Sequence, residues 1–143
     1  MELDFDDALV WGLQGYVRRV TVELGLTGES SCVQAEPTAT LYLALDGRLR
    51  GFPDRDVALV WDEECGWSVA VETHSGEDLI IVAYFGADLL PTPQAVARWV
   101  RRLLRGERGA VGQPAVARWT RDDLVRRLVP YTAAELVPMP RSA

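Results

Sequence analysis

Residues 57–86 read VALVWDEECGWSVAVETHSGEDLIIVAYFG, and the fold turns on how this stretch is divided. Val57 to Trp61, Trp67 to Thr73 and Leu79 to Phe85 are rich in Val, Ile, Leu and aromatic residues, and each run is bounded by Gly, Asp or Glu clusters, which is the pattern of short strands. The loops Asp62–Gly66 and His74–Asp78 each carry a glycine near the end, free to take the positive φ that hairpin loops of this length require. Thr40 to Leu45 adds a fourth strand upstream. Four strands joined by short loops predict an antiparallel meander over residues 39–86.

Alternation along these strands sorts the side chains onto two faces. One face carries Leu41, Leu43, Leu45, Val57, Leu59, Trp61, Trp67, Val69, Val71, Leu79, Ile81 and Phe85, and this face is expected to form the core. The other carries Thr40, Ala44, Ala58, Ser68, Glu72 and Ile80 together with Tyr42, Val60, Ala70, Val82 and Tyr84. Solvated sheet faces are usually more polar than this. Tyr42, Val60, Ala70, Val82 and Tyr84 are therefore the candidate interface, unless the last helix wraps round to cover them.

Helical periodicity flanks the sheet. Leu9, Val10, Leu13, Tyr16, Val17, Val20 and Leu24 recur at helical spacing and predict a helix over 6–24, capped by Asp4 or Asp6 and stopped at Gly25. Thr92-Pro93 starts a second helix over 93–105, with Val96, Trp99, Val100 and Leu103 on its buried stripe. Thr120-Arg121-Asp122-Asp123 reads as a capping box with Asp in the Glu position, opening a short helix over 120–129 that Pro130 halts. Residues 131–143 are expected to be a flexible tail. The whole chain is thus read as one α+β domain: an N-terminal helix, a four-stranded antiparallel meander and two C-terminal helices.

Composition narrows the functional classes. The 143 residues, 48% hydrophobic, suffice for one core. No apolar run reaches the ~18 to 20 residues that cross a bilayer. The acidic start, Met1-Glu2-Leu3-Asp4, is unlike a secretory signal peptide, so a cytoplasmic location is expected with no membrane partner. Cys32 and Cys65 are read as free thiols. All fifteen basic residues are arginine. Residues 1–92 carry 17 acidic against 5 basic residues, net −12, and residues 93–143 carry 4 against 10, net +6. Such halves attract each other at short range, or the basic third, with Arg98, Arg101, Arg102 and Arg105 on one helix face, serves a nucleic acid.

Catalytic vocabulary is sparse. His74, the single histidine, adjoins Ser75, but neighbours in a hairpin turn do not provide the geometry of a base and nucleophile with an orienting third group. Cys65 lies nine residues from His74 along an extended strand, roughly 30 Å away at ~3.3 Å per residue, which rules out a dyad or a shared metal. Without lysine no phosphate-binding G-x-x-x-x-G-K-[ST] loop exists. No catalytic residue, metal or cofactor is assigned. One pole of the sheet, where the loop 46–56 meets the His74 turn, gathers Arg48, Arg50, Phe52, Arg55, His74, Glu77 and Asp78, a mixture of guanidinium forks and carboxylates around an aromatic that suits a small anion or a partner's charged loop.

The run Leu41-Tyr42-Leu43-Ala44-Leu45-Asp46-Gly47-Arg48-Leu49, with residues 56–86 and with LPTPQAVARWVRRLL at 90–104, resembles a family of small uncharacterised actinobacterial proteins over residues 5–105. The resemblance implies a bacterial cytoplasmic setting and transfers no activity or site. In outline, a helix, a meander and further helices are also similar to secretion-chaperone-like dimers. The expected function is a non-enzymatic protein-interaction module, a homodimer or partner-binding protein using the second sheet face. A nucleic-acid-binding or small-ligand-binding regulatory protein is the alternative.

Overall fold

The computed structural model describes residues 5–26, 31–73, 78–86, 88–107, 111–115 and 119–136. In chain order these form α1 (Phe5–Glu23), β1 (Ser31–Gln34), β2 (Thr40–Leu45), β3 (Val57–Asp62), β4 (Gly66–Glu72), β5 (Leu79–Tyr84), α2 (Pro93–Leu104) and α3 (Arg121–Leu136). The α+β architecture is as expected, with five strands where four were predicted. The sheet is an antiparallel meander in the order β1-β2-β3-β4-β5. The added strand, Ser31-Cys32-Val33-Gln34, pairs with β2 through Cys32↔Tyr42 and Val33↔Leu41. Its polar residues give it no strand pattern of its own, but Val33 packs on the core while Cys32 and Gln34 face solvent.

All three helices lie on one side of the sheet. The α1 stripe of Leu9, Leu13, Tyr16, Val17 and Val20 is buried, and the helix ends in a Schellman motif, with Gly25 at φ 73° and Leu26 N–H donating to the Thr21 carbonyl at 3.0 Å. Thr92 caps α2 by accepting the Ala95 N–H at 3.2 Å, with Pro93 opening the helix. Thr120 and Asp123 exchange side chain to backbone bonds, both 3.1 Å, at the start of α3, so the capping box holds with Asp.

The helix α3 does not stop at Pro130 but runs through it to Leu136. Proline costs about 3 kcal/mol inside a helix, and packing on α1 offsets it. Tyr131 meets Tyr16 edge to face at 5.1 Å, and Leu128 lies against Gly12. Residues 131–136 are therefore helix rather than tail, and 137–143 lie outside the described residues.

The core joins both layers through hydrogen-bonded aromatics. Trp67 Nε1 donates to Tyr16 Oη at 2.9 Å, and Tyr16 Oη donates to the Pro91 carbonyl. Trp61 Nε1 donates to the Leu89 carbonyl at 2.7 Å. Burial pushes the Tyr16 phenol far above its ordinary pKa, so the hydroxyl stays neutral and serves as donor and acceptor at once. No buried side-chain nitrogen or oxygen among the described residues lacks a partner.

Candidate functional site

The simplest alternation along β5 fails at one point. Val69 pairs with Ala83 but Ala70 pairs with Ile81, so Val82 is an extra residue, a β-bulge. Below the bulge the faces exchange. Ile80, paired with Val71, turns to the helix side, and Leu79 and Ile81 turn to the second face beside Glu72 and Ala70. Leu79 and Ile81 therefore leave the expected core, and Ile80 leaves the expected second face. Val82 is no interface residue either: it packs against the core on the helix side.

The second face keeps Tyr42, Val60, Ala70 and Tyr84. Tyr42, Val60, Ser68 and Tyr84 form one row across four strands, and Ala44, Ala58, Ala70 and Ile81 the next. Ala58, Ala70 and Ser68 are already buried. Tyr42 Oη donates to Glu72 Oε1 at 3.1 Å above the alanine row. Partial burial, and then the carboxylate, raise the Tyr42 pKa. The last helix does not wrap round to this face, because α3 packs on α1.

Three exposed apolar side chains lie side by side on the edge strand β5. Leu79, Ile80 and Ile81 retain 40%, 44% and 47% of their accessible surface. Thr73 N–H bonds to the Asp78 carbonyl, so Asp78 and Ile80 direct their backbone groups inward to β4 and Leu79 and Ile81 direct theirs outward. Higher up the edge is covered, since Gly112 N–H donates to the Tyr84 carbonyl at 3.0 Å.

The predicted loop pole separates into two groups. Arg48 pairs with Asp56 at 2.9 Å, and Arg55 Nη1 donates to the Glu72 carbonyl at 3.1 Å, so both arginines hold the loop to the sheet. Asp78 is exposed at the hairpin base. His74 and Glu77 lie outside the described residues. Arg50 and Phe52 belong to a tight turn closed by Phe52 N–H to the Leu49 carbonyl at 2.9 Å. That turn faces the end of α2 across a cleft of about 450 Å³. Its far wall, Leu103, Gly106, Glu107 and Val111, carries no sequence signal that assigns it to a site.

The arginine face of α2 is largely engaged within the chain. Arg101 donates to the Glu23 carbonyl, and Glu107 receives Arg105 at 3.0 Å and Arg102 at 3.7 Å, while Arg98 is exposed. Other links join the basic third to the acidic body. Arg121 contacts Glu36 at 2.9 Å and Glu63 at 3.1 Å, and Arg127 pairs with Asp88 at 3.5 Å while lying 4.2 Å from the Trp119 ring. Cys32 and Cys65 are free thiols; partial burial, then Asp62 and Glu64, raise the Cys65 pKa and suppress its thiolate. Among the described residues no His, Cys, Asp or Glu cluster is arranged to hold a metal, and no helix is long and apolar enough to cross a membrane.

A protein-family model described as a family of unknown function (DUF6292) matches residues 16–102. No curated protein and no solved structure matches the chain. The match spans more than half of the 143 residues, and the chain belongs to that family.

Proposed function

We propose that this chain is a non-enzymatic protein-interaction module that associates with a second copy of itself through the open part of β5 and the adjoining second sheet face. The observation that carries the reading is the run Leu79-Ile80-Ile81, half-exposed on an edge strand. Edge strands are normally protected by charge, proline or a cover, because their unpaired backbone groups template pairing with another chain. Among the described residues nothing covers these three side chains, and β5 contains neither a charge nor a proline.

A second copy suits this edge because the edge is self-complementary. A twofold axis at Ile80 sets Leu79 opposite Ile81 of the partner copy, so the outward N–H and C=O groups bond reciprocally in an antiparallel ladder. Ile80 then meets its own counterpart on the helix side. No like charges are brought together within the run. Tyr42, Val60 and Tyr84 extend the apolar surface beside the seam.

The open ladder is short, so a dimer with a dissociation constant of about 10–100 μM is expected. Light scattering over a concentration series up to about 0.5 mM should show the mass rising from monomer to dimer, and Ile81→Lys should remain monomeric throughout. A wild-type monomer over the whole series overturns self-association. A dimer unaffected by Ile81→Lys overturns β5 as its seam.

A further inference from the structure

The cleft between the 49–52 turn and the end of α2 carries Arg50, a guanidinium that no described residue engages. Its walls are Leu49, Phe52, Val82, Ala83, Leu103 and Val111, brought from four separate parts of the chain. The bulge places Val82 as well as Ala83 on this side, the kind of re-aiming for which bulges recur beside functional sites. A volume of about 450 Å³ lies within the range of small-molecule sites.

Arg50 sits at the mouth. Its side chain lies across Gly106, where a Cβ would come within 2.7 Å of Arg50 Cδ and 2.9 Å of Nε. Gly106 therefore has two tasks: it takes φ 81° to end α2, and it leaves room for the arginine. The helix end does not need Arg50 as a cap. Gly106 N–H bonds to the Leu103 carbonyl at 2.9 Å and Glu107 N–H to the Arg102 carbonyl at 3.1 Å, a complete Schellman pattern. Arg50 itself makes no hydrogen bond or ion pair with any described residue.

The nearby acid does not neutralise it. Glu107, also at the cleft, is shared by Arg105 and Arg102. With Arg105 and Arg102 both on Glu107, Arg50 adds a further guanidinium at this cleft, on a chain whose formal net charge is −6. A planar guanidinium beside an apolar pocket is complementary to a carboxylate carried on an apolar body. We infer that this cleft is a binding site for a small amphipathic monocarboxylate, its acid group paired with Arg50 and its apolar part against Phe52, Val82 and Leu103.

Sodium octanoate is the probe and octanol its uncharged counterpart, followed by amide NMR titration and calorimetry on the full chain. Octanoate is expected to bind saturably and move the Val82, Ala83 and Gly106 amides, with octanol at least tenfold weaker. Arg50→Ala, at an exposed position, should weaken octanoate about tenfold and leave octanol unchanged. Val82→Phe should fill the cleft and abolish octanoate binding, whereas Ile81→Lys should retain it, which separates this site from self-association. Absence of saturable octanoate binding overturns the inference. So does octanol binding as tightly as octanoate, undiminished octanoate affinity in Arg50→Ala or Val82→Phe, or loss of affinity in Ile81→Lys.

Discussion

At one edge of the sheet β1 presents Ser31, Cys32 and Gln34; at the other, β5 presents Leu79, Ile80 and Ile81. The first edge is four residues long, polar on its outer positions, and followed by a connection that Arg121 holds from α3. Arg121 Nη2 donates to the Ala35 and Pro37 carbonyls at 2.7 and 3.3 Å, and the same guanidinium reaches Glu36 and Glu63. Among the described residues the second edge has no such clamp along Leu79 to Ile81, and the Gly112 contact at Tyr84 is its cover. Both strands share one sheet and one core, so the contrast arises from the chain segments beside them. An edge is closed here by what the fold brings to it from distant sequence, not by its own propensity alone.

The sharpest way to break this contrast is to release the held edge. Arg121→Ala removes charge-assisted bonds to two carbonyls and two carboxylates at a side chain only 24% exposed. A loss of about 2 kcal/mol in urea unfolding is expected, with faster amide exchange in Ser31–Gln34. An unchanged β1 in that variant would mean that β2 pairing alone secures the strand. At the open edge the opposite outcome is expected. Ile81→Lys should alter the stability of the monomer by no more than about 0.5 kcal/mol while abolishing self-association, and a larger loss would show that the side chain supports the monomer fold.

The smallest effect concerns pH. Bonds from the Thr120 backbone and hydroxyl, and then Arg126, hold the Asp123 carboxyl below its usual pKa. A depressed folded pKa contributes stability above the unfolded value of about 3.9 and loses it as pH falls through the folded value. Because Asp123 is at the surface, the expected change is local: the Thr120 amide, which donates to this carboxylate, should shift by NMR as pH falls through the lowered value, while the Val96 to Val100 amides stay still. Asp123→Asn should erase that titration.

Much of this fold is legible in the residues themselves. Val96, Trp99, Val100 and Leu103 mark α2, Thr92-Pro93 starts it, and the alternation in β2, β3 and β4 puts each side chain on its correct face. The misses have local causes. Ser31 to Gln34 contain too little apolar character to be read as a strand until β2 is there to pair with them. The bulge at Val82 leaves no mark in a uniformly apolar run, and a single extra residue exchanges the faces of Leu79, Ile80 and Ile81. Pro130 breaks the local rule because Leu128 and Tyr131 gain contacts with α1 that no window of sequence contains. For the cleft, Arg50 and Phe52 stood out as polar and aromatic loop residues. Leu103, Gly106 and Val111 did not, since only the fold carries them to the 49–52 turn.

The close seating of Leu128 on Gly12 has a consequence for how the chain is made. A Cβ at Gly12 would lie 2.7 Å from Leu128 Cβ, so α1 is shaped to receive a helix translated 116 residues later (128 less 12). At about 5–20 residues per second a ribosome needs on the order of ten seconds to cover that distance. During that interval the sheet is available to Leu13 and Tyr16, but the face of α1 around Gly12 has no partner. The nascent protein therefore emerges with its first helix half-sheltered, and its last helix is the piece that completes the shelter.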